Sequence, residues 1–321
     1  MRVVPVALAV SALAACPPPP TSQPYYEPST YAAPDNLPTP IELTQAGTSV
    51  SRQDQWIFDG GRIEFEIRRD GDRVIEVAHN HYAVTVVIAW HVDNEDNVTP
   101  IESSGGVAVL PPAPTPNGEG PPVVLTTQHI LDTSRGFYRN MPFTAQFGGP
   151  HARPAAYTYR LPFARGKRYA VLQGFHGAFS HTGGNEFAVD FDCPVATRVL
   201  AARPGVVVAS NAAAQKSGTT PEFRNYDHVN WVIVLHDDGT LGQYMHLAPA
   251  SVEVQPGTVV KRGDELALSG HTGFSSTPHL HFMVMTAADD GVSTLTFPFT
   301  LAVTANREEE PHQGTPYTSW E

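Results

Sequence analysis

The sequence predicts an all-β protein: a small antiparallel β-sheet domain preceded by a β-sandwich-like domain. Three observations carry this. Short segments alternate apolar and polar residues, as in "RIEFEIRR", "RVIEVAHNH" and "AVTVVIAWHV", the period of a half-buried strand. Turn signals separate such segments, among them Asp70-Gly71-Asp72 and Asp237-Asp238-Gly239-Thr240. Helical periodicity is almost absent from residue 166 onward.

The first fifteen residues, "MRVVPVALAVSALAA", pair Arg2 with an apolar run too short to span a bilayer. Leu13-Ala14-Ala15-Cys16 resembles a bacterial lipobox, so residues 1–15 are expected to be a lipoprotein signal and Cys16 the lipidated residue. Acyl chains on Cys16 would hold the protein on a membrane surface without a spanning helix. Residues 16–40 are rich in proline, which favours extended, non-packing chain, and are expected to be a membrane tether. Residues 41–165 carry the strands of the β-sandwich-like accessory domain and a long Pro/Gly loop, "LPPAPTPNGEGPP". Its His79, His81 and His91 are expected to be surface or structural residues without chemistry. Residues 166–303 read as the second domain. "NWVIVLHDDGTLGQYMHL" is a hairpin, and "VVKRGDELALSG" repeats the strand–turn–strand pattern. Residues 304–321 lose periodicity and are expected to be a loose C-terminal tail.

Composition narrows the function. The chain has 321 residues and a formal net charge of −12, with no cluster of basic residues, so no nucleic-acid partner is expected. Cys16 and Cys193 are the two cysteines, too few for a disulfide framework or a cysteine-based zinc site. Cys193, beside acidic residues, is expected to be a small buried side chain and no nucleophile. Fourteen histidines make a histidine metal site worth seeking.

The candidate chemistry gathers in the second region. "SHTGGNEFAVDFDCP" holds His181 and Asp190, "GQYMHL" holds His246, and "TPHLHF" holds His279 and His281. In a strand, residues i and i+2 share a face, so His279 and His281 project together. That pair allows two metal ligands, one ligand beside one acid/base group, or two idle histidines. A catalytic zinc takes three nitrogen or carboxylate ligands and leaves the fourth position for water, whose pKa it lowers. Two histidines and one aspartate meet that need, and a further histidine could move protons or stabilise an oxyanion.

Over roughly residues 174–286 the chain resembles the lysostaphin-type zinc endopeptidases, which cut peptide bonds in bacterial peptidoglycan. The likeness rests on "HTGGNEFAVDFDCPVATRVLAARPGVVV", "NWVIVLHDDGTLGQYMHL" and the closing His-Leu-His. It implies a narrow groove on an antiparallel sheet, with one Zn2+ on its floor held by His181, Asp190 and His281. It implies that His246 and His279 are the non-ligand catalytic histidines. The commonest family pattern puts its first histidine four positions before the aspartate. Here that position is Glu186, which is the alternative ligand, with His176 behind it. His271 stands where asparagine is more usual and is a possible groove residue.

The function expected is therefore a zinc metalloendopeptidase acting on peptidoglycan peptides. It is expected to be a monomer in the bacterial cell envelope, anchored through Cys16 and facing the periplasm or the outside. The alternatives are a catalytically inactive regulator of wall hydrolases and a metal-binding envelope module.

Overall fold

The computed structural model describes residues 49–101 and 103–321. The expected signal peptide, Cys16 and the proline-rich tether lie outside the described residues. Within them the protein is nearly all β. Helical structure is confined to short 3-10 turns at Gly183–Asn185, Pro221–Arg224 and Tyr226–His228.

The first region supplies seven principal strands: β1 (Ser49–Phe58), β2 (Gly61–Asp70), β3 (Arg73–Asn80), β4 (Val86–His91), β5 (Gly105–Leu110), β6 (Val123–Ile130) and β7 (Phe143–Phe147). One sheet runs β1-β2-β3-β6 with Val98–Pro100 at its edge, and a second runs β7-β4-β5. The β2–β3 hairpin closes at Gly71-Asp72, where Gly71 takes φ +61°. That left-handed conformation carries no penalty for glycine.

The second region supplies β8 (Arg168–Gln173), β9 (Val189–Phe191), β10 (Gly205–Asn211), β11 (Trp231–Leu235), β12 (Leu241–Met245), β13 (Leu280–Ala287) and β14 (Pro316–Thr318). With Val259–Val260 at one end they form an antiparallel sheet in the order β10-β11-β12-β13-β9-β8-β14, and Thr294–Phe297 also pairs with β13.

The two faces of this sheet belong to different cores. Val189, Phe191, Val232, Val234, Tyr244, Leu280, Phe282 and Val284 pack on one side with Val199, Val260, Leu266 and Phe299. On the other side Trp231, Ile233, Leu241, Met245, Met283 and Met285 join Trp56, Ile63, Tyr82, Ile88, Trp90, Phe143 and Phe147 of the first region. One apolar core therefore crosses residue 165. Trp56, Phe147 and Tyr82 meet edge-on or tilted, with ring centroids 4.4 Å apart for Trp56–Phe147 and 5.0 Å for Tyr82–Phe147. The backbone is also stitched at this seam, where Asp59 and Ser210 exchange hydrogen bonds of 3.0 Å each.

The C-terminal tail corrects the expectation of looseness. β14 pairs with β8, Tyr317 is buried, and the Trp320 indole donates to the Ala302 carbonyl at 3.1 Å. Arg262 holds the Glu321 carboxylate from two nitrogens, at 2.6 and 2.7 Å. The loss of alternation in the sequence reflects an edge strand fastened by aromatic and ionic side chains, which period-2 patterning does not register.

Candidate metal centre

β9 and β13 are antiparallel neighbours, and their register sets Asp190 directly opposite His281. Directly opposed residues share a face, so both side chains emerge together. His281 Nδ1 lies 2.8 Å from Asp190 Oδ1. His181 arrives from the loop between β8 and β9, and its Nε2 stands 3.2 Å from Asp190 Oδ2. One donor atom from each of the three lies within 4.8 Å of the others, and all three residues are buried. With zinc bonds of about 2.0–2.1 Å, adjacent tetrahedral donors stand roughly 3.3 Å apart. The His181 separation is close to that value, and the His281 separation, to the other carboxylate oxygen, is the shorter distance of a hydrogen bond.

The His181 imidazole has a backbone anchor. The His181 Nδ1 donates to the Gly174 carbonyl at 2.8 Å, which leaves Nε2 as a lone pair turned to Asp190. That Nε2 is buried and makes no hydrogen bond. The donor set of two imidazoles and one carboxylate fits a zinc ion.

The other two histidines stand beside this group. His246 follows β12 and sits at φ +61°, a left-handed conformation that costs a non-glycine residue energy. Its Nδ1 donates to the Thr272 carbonyl at 2.6 Å. His279 precedes β13, and its Nδ1 donates to the Thr277 carbonyl at 2.8 Å. The two rings are tilted against each other with centroids 4.5 Å apart. His279 Nε2 is 3.7 Å from Asp190 Oδ1.

Burial and charge act together on these groups. Burial would raise the Asp190 carboxyl, but His181 and His279 outweigh it and hold the group well below the usual carboxylate range. Burial disfavours charge on His181, yet Asp190 prevails and raises it. His246 is pushed well below its ordinary value by burial and by His279 and His281. His281 is lowered mainly by burial, against the pull of Asp190.

The alternates lie elsewhere. Glu186 closes the turn after Asn185 and pairs with His176 at 3.1 Å, so these two satisfy each other outside the group. His271 bonds the Ser275 hydroxyl at 2.8 Å, and the same hydroxyl is 3.3 Å from His279 Nδ1. His271 therefore touches the catalytic candidates at one remove. Cys193 is buried, and its thiol is pushed up to about 11 by burial. In the first region His79 and His81 are buried and His91 is exposed.

One organising residue escaped the sequence reading. Gln173 ends β8 opposite Asp190. Its Oε1 accepts from the Phe179 and Ser180 amides, at 3.0 Å each. Its Nε2 donates to the Ser180 hydroxyl at 2.6 Å and to Asp190 Oδ2 at 3.1 Å. Gln173 thus fixes the loop that delivers His181 and orients the carboxylate. A lone glutamine in "YAVLQGF" carries no motif that would single it out.

The face that carries Asp190 and His281 continues along β13 through Met283 and Met285. Those two are buried in the core shared with Trp56 and Phe147. The first region therefore covers one end of the sheet face on which the candidate site lies.

Comparison with known proteins agrees with this region. Residues 184–292 match Peptidase family M23, a span that begins three residues after His181. The chain is 40% identical over 105 residues to the glycyl-glycine endopeptidase ALE-1 of Staphylococcus capitis, covering 32% of this chain and 25% of that protein. It is 33% identical over 94 residues to the peptidoglycan DD-endopeptidase ShyA of Vibrio cholerae, covering 29% of this chain and 18% of that one. The chain thus spans a quarter or less of the length of these two relatives. Among solved structures, the catalytic domain of the antimicrobial peptidase lysostaphin from Staphylococcus simulans is 24% identical. The match covers 40% of this chain and 86% of that one, at a TM-score of 0.28.

Proposed function

We propose that this chain, which carries a Peptidase family M23 domain at residues 184–292, is a zinc metalloendopeptidase that hydrolyses peptide bonds of bacterial peptidoglycan. The observation that supports this best is the convergence of His181, Asp190 and His281 from three separate segments, with donor atoms within 4.8 Å. The glycyl-glycine endopeptidase and peptidoglycan DD-endopeptidase activities named for two relatives support the substrate class.

His181, Asp190 and His281 would hold the metal. The chemistry a zinc ion supplies in such a site is Lewis acidity toward a water and the scissile carbonyl. The remaining steps belong to the protein. His246 and His279 each give their Nδ1 proton to a backbone carbonyl, so each presents Nε2 to the site. One Nε2 takes the proton of the attacking water and gives it to the amine nitrogen as the C–N bond breaks. The other ring faces the oxygen that gains charge as the carbonyl carbon becomes tetrahedral. Gln173 holds the Asp190 carboxylate in place throughout.

We place the protein in the cell envelope, where such a substrate is found. The Leu13-Ala14-Ala15-Cys16 stretch supports a lipid anchor, and mass spectrometry of the membrane-extracted protein would detect the acylated Cys16.

The test uses purified protein on peptidoglycan sacculi, with and without chelator, and reads new amino termini in the released muropeptides. Cleavage that is lost on chelation and restored by Zn2+ is the expected result. His281→Ala cleaving as well as wild type would sink the proposal.

A further inference from the structure

A second group of metal-type side chains lies in the first region, on the sheet of β1, β2, β3 and β6. The odd-numbered residues of β2, Ile63 and Phe65, face the shared core. The even-numbered residues Glu64 and Glu66 therefore project to the opposite face, and the register sets His79 of β3 directly across from Glu64. Donor atoms of Glu64, Glu66 and His79 lie within 4.8 Å of one another. All three are more than nine-tenths buried, at 5%, 1% and 2% exposure. Burying carboxylates is costly unless their charge is met.

Three arginines meet that charge. Arg52 reaches Glu64 at 3.0 Å and Glu66 at 2.7 Å, Arg62 reaches Glu64 at 3.5 Å, and Arg68 pairs with Glu66. The side chains of Arg52 and Arg68 are about half exposed, so they approach from solvent. On the inner side stand imidazoles. His79 Nε2 is 3.2 Å from Glu66 Oε2, and its Nδ1 is 2.9 Å from Glu119 Oε1. Neither nitrogen is aligned to hydrogen-bond, whereas Glu64 Oε1 and Glu66 Oε2 are the oxygens that Arg52 reaches.

His81 adds a second ring. Its Nδ1 donates to the Gly118 carbonyl at 2.6 Å, which makes Nε2 a lone pair. That lone pair is 3.7 Å from Glu64 Oε2 and has no hydrogen bond. Electron pairs set against carboxylates in a dry place repel unless a cation lies between them. The same arrangement recurs at His181, where Nδ1 is anchored on a carbonyl and Nε2 faces Asp190. Both Glu119 and the Gly118 carbonyl come from the Pro/Gly loop at residues 110–122. That loop therefore anchors His81 and sets a carboxylate beside His79.

We propose that Glu64, Glu66 and His79 form a second metal site, which takes a borderline divalent cation of the zinc class. Mixed imidazole and carboxylate donors suit that class. His81 stands beside Glu64 as a fourth donor. Arg52 acts as the surrogate cation when the metal is absent and swings to solvent when it enters.

The test measures zinc per chain in the full-length protein, stripped with chelator and then dialysed against Zn2+. Wild type is expected to retain two zinc ions. His79→Ala and His281→Ala each retain one, and the double variant retains none. Arg52→Gln, which removes the competing charge, tightens the second site. Zinc-edge anomalous diffraction from wild-type crystals gives a readout that does not depend on variants folding, with a peak expected between Glu66 and His79. A single zinc per chain that His281→Ala abolishes overturns the proposal. So does a second zinc whose peak lies away from these residues. Failure of the peptidase reading would show as loss of the His281-dependent zinc alone, so the two results are separable.

Discussion

His281 and Asp190 stand directly across one antiparallel pair of strands, with Nδ1 2.8 Å from Oδ1. This contact ties two candidate ligands to the backbone register of the sheet. Loops bring His181 and the pair His246/His279 to it. His181→Ala, Asp190→Ala and His281→Ala are each expected to lose the zinc of this site and cleavage together. Glu186→Gln should keep both, because its carboxylate is spent on His176. Metal analysis of the four variants checks this, and zinc loss in Glu186→Gln alone would reassign the first ligand.

His246 and His279 should separate chemistry from metal binding. His246→Gln and His279→Gln are expected to retain zinc while turnover falls by about 10²–10⁴, the range for losing one acid/base group. Zinc content and single-turnover cleavage of the same preparations decide it. A variant that loses zinc would be a ligand instead.

Gln173 holds both the Asp190 carboxylate and the loop that delivers His181. Gln173→Ala should reduce metal affinity or activity by about 10–100-fold, as for other residues that orient ligands. Competition with a chromophoric chelator measures the affinity. An unchanged value would mean that the loop is held by other contacts.

The core shared across residue 165 makes the two regions interdependent. Trp56→Ala removes a buried indole packed on Phe147, Tyr82 and Tyr226 and is expected to cost about 3–5 kcal/mol. Residues 153–321 expressed alone would expose Trp231, Met283 and Met285 and should be insoluble or aggregate. Soluble, cooperatively unfolding protein from that fragment would refute the interdependence.

Asp238 gives a pH signature away from the metal centre. Burial opposes its ionisation, but the Thr240 hydroxyl, the Ala155 and Thr240 amides and Arg203 more than offset this and hold it at about 2. The folded value is depressed, so the stabilisation is full above the unfolded pKa of about 4. It is lost as pH falls from there through about 2. Its size is roughly 1–2 kcal/mol after allowing for partial exposure. Denaturant melts from pH 5 to 2 should show this loss in wild type, and Asp238→Asn should remove it.

The sequence by itself determined the class of fold and the members of the candidate site. Strand alternation and turn residues are local properties, and so the hairpins at Gly71 and Gly239 were legible. His-x-His on one strand face is legible for the same reason. The spacing of His181 from Asp190 left Glu186 in play, because distance along a loop says nothing of which side chain turns inward. The tertiary structure decided that. Gln173 and the Gly174 carbonyl hold His181 toward Asp190, while Glu186 turns to His176. Only the tertiary structure, too, disclosed the packed tail, the core that joins the two regions, and the buried group of Glu64, Glu66 and His79. Each arises from contacts between residues far apart in the chain, for which local patterning carries no signal. Along β2 the alternation that marks a strand also marks Glu64 and Glu66 as outward. On that face Glu119 and the Gly118 carbonyl of the 110–122 loop meet His79 and His81, and arginines meet the two carboxylates.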